Sequence, residues 1–378
     1  MQMLLHAQDR TTLKNSRAVR AMDAFDGRAG QMTGLTGLRA VAAVWVVSFH
    51  YSVGPFSSLH AQRVIPVIGF GYFGVDLFFM LSGFVIWHVH SKDFHRPTMP
   101  AFRRFVLLRM ARLYPVNVAT LLILAAIFIL APHIGEPHFD AKHYTVHEFA
   151  VDVLMMQTWG LSRHLNWNYP AWLVSAEWFC YFLFPLAVFP LATLKRALTA
   201  IGIIFLIAVL AAVYLFLFSH TFNQTIGWMA LTRAFLEFFI GCLLRRISDE
   251  PALARIAWTP ILLALITAAY AAIWLRAPLA GFVPILVFPA LILAACRADN
   301  LVGQVVLGEA SYSLYLAQAP VQKAIRFLSS DVTLHAPLVA SAIVLAYAGA
   351  LALATTTIYK LIELPSRKRL RRLVQSYD

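Results

Sequence analysis

Charged residues are scarce in this chain. Lysine, arginine, aspartate and glutamate make up 13% of its 378 residues, and only 18 of these are acidic. In a soluble domain, roughly a quarter of the residues are charged. Because 60% of the residues here are hydrophobic, too few polar side chains remain to cover a globule in water. The composition therefore excludes an ordinary soluble domain and favours a membrane protein.

Cysteine is also rare. Its three residues, Cys180, Cys242 and Cys296, all lie in apolar stretches. No metal-ligand spacing links them, and we expect small buried hydrophobic side chains rather than a metal site. The sequence likewise lacks a phosphate-binding glycine loop, a metallopeptidase helix and a serine-nucleophile elbow. The common soluble enzyme motifs therefore do not indicate a function.

Residues 1–33 lack an apolar core followed by a small-residue cleavage site, which a secretory signal peptide would need. The segment is polar and basic, and we expect a mobile cytoplasmic tail. We assign 34–366 to one transmembrane domain. We assign 367–378, which is rich in arginine, to a basic cytoplasmic tail.

The net charge is +13 and the pI is near 9.9, values that would suggest nucleic-acid binding in a soluble protein. Here the basic residues occupy short connections between apolar spans, as the positive-inside rule describes. Spans of about 20 apolar residues can each cross a bilayer as a helix. We therefore predict an all-α polytopic bundle of about ten transmembrane helices, with both termini cytoplasmic, lipid contacts and no nucleic-acid partner. The predicted spans are 35–53, 68–90, 113–132, 169–190, 198–218, 225–244, 257–275, 280–296 and helices within 302–325 and 337–362.

The first predicted span contains two ionisable residues, Arg39 and His50. Eleven residues make three turns of helix, so the two side chains share nearly one face, about 16 Å apart. Ionisable groups are costly inside a bilayer, which makes each a candidate for function. A neutral imidazole there can take a proton from a hydroxyl. A histidine held by a neighbouring helix, or an interface anchor, explains the same pattern.

The second predicted span contains a carboxylate, Asp76, between Gly74 and Ser82. A carboxylate in an apolar run needs a partner such as a cation or an imidazole N–H. Two interpretations stay open: a structural pair with Arg39 or another arginine, and a functional role. The glycines would allow another backbone or a ligand to approach closely.

A basic segment follows, with Arg103, Arg104, Arg109 and Arg112, and then Tyr114. Arg109 and Arg112 share a helix face at i, i+3 spacing. Guanidinium groups suit phosphate oxygens, which favours a cytoplasmic site for a phosphate-rich cofactor. Plain topology and contact with anionic lipid headgroups explain the cluster equally simply.

The fourth and ninth predicted spans carry further polar side chains. Glu177 and Tyr181 lie one turn apart, with Trp172 near the outer end of the same span, and Tyr315 and Gln318 lie in the ninth span. Tryptophan is ordinary at an interface, and hydrogen bonds between helices account for hydroxyls and amides. Taken together, the buried imidazole, carboxylates and arginines predict a polar path through one bundle.

These segments, over about 33–366, resemble the acyltransferase-3 family of membrane acyltransferases, which includes bacterial O-antigen and exopolysaccharide O-acetyltransferases. Many members have histidine where this chain has Gln318, so Gln318 is not expected to be catalytic. The segments that carry the resemblance are Arg39 to His50 (Arg-x10-His), Gly74-Val-Asp76 through Ser82-Gly83-Phe84, Arg109-Met-Ala-Arg112-Leu-Tyr114-Pro115, Trp172-x4-Glu177-x3-Tyr181 and Gly308-Glu-Ala-Ser311-Tyr312-Ser313-Leu-Tyr315-Leu.

The resemblance implies transfer of an acyl group, usually acetyl, from acetyl-CoA to a hydroxyl of an extracytoplasmic polysaccharide or lipid-linked sugar, at the bacterial inner membrane and without a metal. It implies that His50 is the general base or, less favoured, the covalent acyl acceptor. Asp76 or Glu177 would fix the tautomer of His50, and Arg39 would steady the thioester carbonyl or hold the donor. The implied binding residues are Arg103, Arg104, Arg109, Arg112, Tyr114 and Ser82 for coenzyme A, and Trp172, Tyr181 and Tyr315 for the acceptor.

A transporter or flippase of a polar lipid or solute is the main alternative from another class. It would use the same buried histidine and carboxylates as a proton relay. An acyltransferase consumes acetyl-CoA and leaves an ester, whereas a transporter does neither. No internal repeat is obvious, which counts against a repeat-built transporter.

Overall fold

The structure is a computed structural model that describes residues 32–54, 56, 59, 61–130, 144–162, 167–217, 228–274, 283–297, 302–328 and 337–376. Throughout these residues the regular secondary structure is helical, which is one of the two ways a chain can satisfy its backbone polar groups inside a bilayer. Residues 1–31 of the predicted N-terminal tail lie outside the described part of the chain.

The main helices run in the following order along the described residues. They are α1 (Thr33–Val53), α2 (Gly74–His90), α3 (Met99–Leu130), α4 (Val146–Val153), α5 (Trp172–Thr193), α6 (Arg196–Leu217), α7 (Trp228–Ile247), α8 (Trp258–Trp274), α9 (Val283–Ala295), α10 (Val302–Glu309), α11 (Ser311–Leu328), α12 (Pro337–Ile358) and α13 (Leu364–Ser376). Short 3₁₀ segments, Pro66–Phe73 and Tyr169–Ala171, lead into α2 and α5, and a π turn, Tyr359–Glu363, joins α12 to α13.

Four helical segments of the described residues are long and apolar enough to cross a membrane: Pro66–Phe94, Met99–Leu130, Tyr169–Thr193 and Ser341–Leu370. Three further apolar helices are shorter: Leu198–Leu210, Trp258–Ala271 and Leu286–Ala295. These helices confirm the predicted helical membrane class. The count of ten crossings and the cytoplasmic position of both termini stay predictions.

Helix α3 is longer than the sequence analysis suggested. It begins at Met99, although the third span was predicted to start near Leu113, after a basic connection. Arginine, leucine, methionine and alanine are strong helix formers, and they extend the helix towards its N-terminus. Arg109 and Arg112 are therefore residues of this helix, as their predicted shared face requires, and they are only 3% and 6% exposed.

Helix α2 lies at the centre of the bundle. Fourteen of its 17 residues are buried, as expected of a helix that is apolar on all sides. It packs along its length against α7. Gly83 of α2 lies against the carbonyl oxygen of Phe238, and Gly241 of α7 lies against that of Met80. These two glycines allow the two backbones to meet, a common device of helix packing in membranes.

Replacing Gly83 with alanine should destabilise the protein, because the added Cβ would overlap the backbone carbonyl of Phe238. Overpacking of this kind costs about 1–3 kcal/mol and can cost more against rigid backbone. The expected result is a lower midpoint of thermal unfolding in detergent. The matched control is Gly349→Ala on α12, where an added Cβ meets no atom within 4 Å. Equal midpoints for the two variants would contradict the close packing of α2 on α7.

Candidate functional site

Side chains from four helices converge on a small buried cavity. Its polar lining includes Arg39 of α1, Ser82 of α2, Glu177 of α5 and Tyr315 of α11. The remaining lining is mostly apolar and aromatic, and includes Phe78 and Phe79. Four residues that the sequence assigned to three different roles therefore meet at one place.

A second cavity adjoins the first on the side of α3. Arg39, Ser82 and Glu177 line both cavities, and Arg112 and Tyr181 line the second. The two cavities thus connect the centre of the bundle with the arginine-bearing half of α3. This arrangement places the Arg-x10-His segment and the Arg-x-x-Arg segment against the same buried space.

Glu177 is the carboxylate that lines both cavities. Its Oε1 accepts a hydrogen bond from the hydroxyl of Tyr181, at 2.5 Å, and another from Ser82. Glu177 and Tyr181 meet because residues four apart on a helix lie on one face. The buried carboxylate also faces a space lined by two guanidinium groups, those of Arg39 and Arg112.

The four arginines predicted to bind coenzyme A divide into two pairs. Arg103 is exposed and Arg104 is half-buried, as is Tyr114 nearby on the same helix. Arg109 and Arg112 are buried. Helix α3 therefore carries positive charge both on its exposed surface and inside the bundle.

Arg109 belongs to a chain of polar side chains at the end of α2 that runs from the buried Arg109 and His90 to the exposed Asp93. Its Nη2 lies 3.4 Å from Nε2 of His90, and Nδ1 of His90 lies 3.0 Å from Oδ2 of Asp93. A guanidinium group can only donate, so Nε2 of His90 accepts and Nδ1–H donates to Asp93. These two hydrogen bonds hold the guanidinium group of Arg109 in a fixed orientation.

His50 lies about three turns further along α1 than Arg39, roughly 16 Å away. Its Nδ1 lies 2.9 Å from Oε1 of Gln318 on α11. Its ring meets that of Tyr169 edge-on at 5.2 Å between centroids. The expectation that Asp76 or Glu177 orients His50 is wrong, since in the described structure the side-chain hydrogen-bond partner of His50 is Oε1 of Gln318, which accepts from Nδ1.

Asp76 instead forms a buried ion pair with Arg233 of α7. Nε of Arg233 donates to Oδ1 at 2.7 Å, and Nη2 donates to Oδ2. Glu237, one turn along α7, lies 3.4 Å from Nε of the same guanidinium. Asp76 and Glu237 are each 0% exposed and Arg233 is 5% exposed. Of the two interpretations of Asp76, the described contacts support the structural pair with an arginine other than Arg39.

Tyr315 presents a polar group with no assigned partner. The residue is 2% exposed, and its hydroxyl has no hydrogen-bond partner among the described residues. Because Tyr315 lines the first cavity, a ligand there could satisfy this hydroxyl. Trp172, by contrast, is half-buried, with its ring 6.2 Å from that of Phe79.

Asp152 lies in the segment between α3 and α5, outside the membrane-spanning helices. Its backbone carbonyl accepts a hydrogen bond from Asn117 at 2.9 Å, and its carboxylate faces the backbone N–H of Asn168 at 3.4 Å. Burial raises the pKa of Asp152 to about 7, and the nearby carboxylate of Glu148 adds to the rise. The segment is therefore expected to respond to pH in the neutral range.

The sign of this pH effect follows from linkage. A carboxyl group whose pKa is higher in the folded state stabilises the fold below its unfolded pKa, and this stabilisation is lost as the pH rises through about 7. Between pH 5 and pH 8 the wild type should lose stability relative to Asp152→Asn, by about 2–3 kcal/mol. Thermal unfolding of both proteins at the two pH values measures the difference. Parallel pH dependence of the two proteins would contradict the assignment.

Two important residues were missed or dismissed by sequence reasoning. Arg233 lies within an apolar helix. A charged side chain costs free energy inside a bilayer, and this was the signal that could have identified Arg233. Gln318 was set aside because it departs from the family pattern. Nothing in the spacing of α1 or α11 indicates that Gln318 contacts His50, since 268 residues separate the two.

Comparison with known proteins connects this site to one family. The family model for an acyltransferase domain, acyltransferase-3, matches residues 32–356. A segment of 67 residues, 18% of this chain, is 46% identical to 34% of protein 2 in the picA locus of Rhizobium radiobacter. A segment of 127 residues, 32% of this chain, is 32% identical to 30% of acyltransferase MdmB of Streptomyces mycarofaciens.

The aligned segments span about a third of each of these two relatives. No solved structure matches the chain. The family match, however, extends from the start of α1 almost to the end of α12 and includes every residue that lines the two cavities. This protein belongs to the acyltransferase-3 family of membrane acyltransferases.

Proposed function

We propose that the chain is a multi-pass O-acyltransferase of the bacterial inner membrane, which transfers an acetyl group from acetyl-CoA to a hydroxyl of a surface polysaccharide or lipid-linked sugar. The observation that carries this proposal is the convergence of Arg39, Ser82, Arg112, Glu177 and Tyr315 on adjoining buried cavities in a chain of this family. Buried polar groups cost free energy, so such a cluster in an apolar bundle favours a bound substrate.

Helix α3 supports the donor end of the proposed site. Coenzyme A is anionic, and guanidinium groups bind phosphate oxygens in bidentate fashion. Arg103 and Arg104, at the more exposed positions of α3, would hold phosphates of the donor. Arg112 lines the second cavity, and Arg109 lies one turn away on the same face. The positive charge thus leads from the surface to the cavities, as a donor entering from the cytoplasm requires.

We assign Arg39 to binding a part of acetyl-CoA away from the thioester, rather than to the thioester carbonyl that reacts. It lines both cavities, and it lies roughly 16 Å along α1 from His50. His50 lines neither of these cavities, so the guanidinium of Arg39 borders the space proposed for the donor, away from the imidazole. Of the two roles considered for Arg39, this position favours holding the donor.

Tyr315 links the part of the site that contains Arg39 to the part that contains His50. It lines the cavity that contains Arg39, and its backbone carbonyl accepts a hydrogen bond from Gln318, the residue that contacts His50. A buried hydroxyl in this position can donate to an acyl or amide carbonyl of the donor. We assign it that role in place of the acceptor binding that the resemblance implied for Tyr315.

Replacing Tyr315 with phenylalanine should lower the rate of acyl transfer about tenfold, the effect of losing one hydrogen bond of about 1.4 kcal/mol in the transition state. Stability should not fall, because the hydroxyl has no partner among the described residues. Tyr312→Phe is a contrasting variant, since its hydroxyl bonds the carbonyl of Leu113 at 2.6 Å and its loss should reduce stability. A Tyr315→Phe variant with the wild-type rate would remove this role.

His50 is assigned as the general base. It takes the proton of the acceptor hydroxyl while the hydroxyl oxygen bonds to the thioester carbonyl carbon. As the carbon–sulfur bond breaks, the imidazolium returns that proton to the departing thiolate, so the products are an ester and free coenzyme A. The second role considered for His50, covalent transfer of the acyl group, would require an additional step.

Mass spectrometry of surface polysaccharides and lipid-linked sugars tests the function. Cells with the intact protein should carry a species heavier by one acetyl group, and cells without it should lose that species. Restoring the wild-type chain should restore the mass. Unchanged acetylation of every surface glycan and lipid-linked sugar in cells without the protein would overturn the proposed acceptor class.

A further inference from the structure

We infer that Gln318 is a positioning residue, which holds His50 in the tautomer that has its hydrogen on Nδ1 and leaves Nε2 as the base. The inference rests on the proposed acyl transfer and concerns how the base of that reaction is prepared. The buried amide of Gln318 forms two hydrogen bonds.

The orientation of the Gln318 amide is fixed by its surroundings. Its Nε2 donates to the backbone carbonyl oxygen of Tyr315 at 2.9 Å. A carbonyl oxygen only accepts, so the NH₂ end of the amide must face Tyr315. The oxygen end, Oε1, then faces Nδ1 of His50 at 2.9 Å. Gln318 is 0% exposed, so water cannot replace either partner cheaply.

The amide orientation determines the tautomer of His50. Oε1 of Gln318 is an acceptor, so Nδ1 of His50 must carry the hydrogen. In the neutral ring, Nε2 then has the lone pair. The other contacts of this ring in the described structure are with the rings of Phe49 and Tyr169, and the described residues provide Nε2 with no hydrogen-bond partner. A substrate hydroxyl can therefore donate to Nε2.

The role of Gln318 corresponds to that of the carboxylate in a serine–histidine–aspartate triad, which holds the imidazole in the correct tautomer and orientation. Here a neutral amide does this, anchored to the backbone of its own helix. A neutral partner avoids placing a second charge beside the base in an apolar bundle, where an added charge is costly.

The test compares the wild type with two variants by transfer of label from [¹⁴C]acetyl-CoA in membranes that contain the endogenous acceptor. Gln318→Leu removes the acceptor at similar volume and should lower the maximal rate about 10–100-fold, less than the full 10²–10⁴-fold contribution of a general base because the imidazole itself remains. The KM for acetyl-CoA should stay within about twofold, because Gln318 lines neither cavity that contains Arg39. Gln318→Glu keeps an acceptor for Nδ1–H and should restore most of the rate. Gln318→Met replaces the leucine variant if that protein does not accumulate.

The outcomes separate this inference from the proposed function. Loss of rate in a folded leucine or methionine variant, with rescue by glutamate, supports it. A leucine or methionine variant as fast as the wild type overturns it, as does a folded glutamate variant that is as slow as the leucine variant. Absence of transfer by the wild type would instead overturn the proposed function itself.

Discussion

Replacement of His50 by alanine should reduce acyl transfer by about 10²–10⁴-fold, the usual contribution of a general base. The reason is geometric: His50 is half-buried on α1, its Nδ1 is held by Gln318, and Nε2 is left to accept a proton. Transfer of [¹⁴C]acetyl label in isolated membranes, normalised to the amount of protein, measures the effect.

Ser48→Ala is the matched control for His50→Ala. Ser48 lies on the same helix, and its hydroxyl donates a hydrogen bond to the backbone carbonyl of Val44, one turn earlier, at 2.8 Å. This variant should keep the wild-type rate. A His50→Ala protein that transfers acetyl groups as fast as Ser48→Ala would refute the assignment of the base.

Replacement of Arg233 by methionine should cause the largest loss of stability. It would leave Asp76 and Glu237 buried without their shared guanidinium. Breaking a buried ion pair by removing one partner costs about 3–5 kcal/mol. The expected result is a large fall in the midpoint of thermal unfolding, or failure to accumulate in the membrane.

The double variant Asp76→Asn/Arg233→Met should lose less stability than the sum of its single changes, because neither a lone guanidinium nor a lone Asp76 carboxylate remains. Arg255→Met is the control, since Arg255 is an exposed arginine in the chain segment that follows α7. If Arg233→Met and Arg255→Met unfold at the same temperature, the buried ion pair is not what ties α2 to α7.

Much of the local structure could be predicted from the sequence. Hydrophobic spans predicted helices. The one-turn spacing of Glu177 and Tyr181 predicted that their side chains lie close together, and they share a hydrogen bond. Such inferences succeed because a helix fixes the relation between residues three, four or eleven positions apart.

Contacts between distant helices could not be predicted in the same way. The partner of Asp76 lies 157 residues away, on α7, and the partner of His50 lies 268 residues away, on α11. Which helices become neighbours depends on packing details such as the glycines of α2 and α7. A single sequence shows that Asp76 needs a cation but does not show which cation the fold supplies.

The revised position of Asp76 also changes the organisation of the proposed site. Asp76 belongs to an ion pair between α2 and α7, whereas Glu177 remains on the cavities beside Arg39 and Arg112. The residues assigned to chemistry, His50, Tyr315 and Gln318, therefore lie on α1 and α11, and both helices pack against a bundle centred on the buried α2. The ion pair between α2 and α7 thus supports the bundle, while the polar residues of the cavities are left to bind substrate. This arrangement suits an enzyme that must hold a thioester away from water.

Acyl transfer is tested most directly with the purified protein in lipid vesicles, supplied with [¹⁴C]acetyl-CoA and lipid-linked sugars extracted from the native membrane. The proposed function predicts release of free coenzyme A that depends on the extract, with an equal amount of label in an alkali-labile ester. Movement of the sugar lipid across the bilayer without release of coenzyme A or ester formation would contradict it, and would identify a transporter instead.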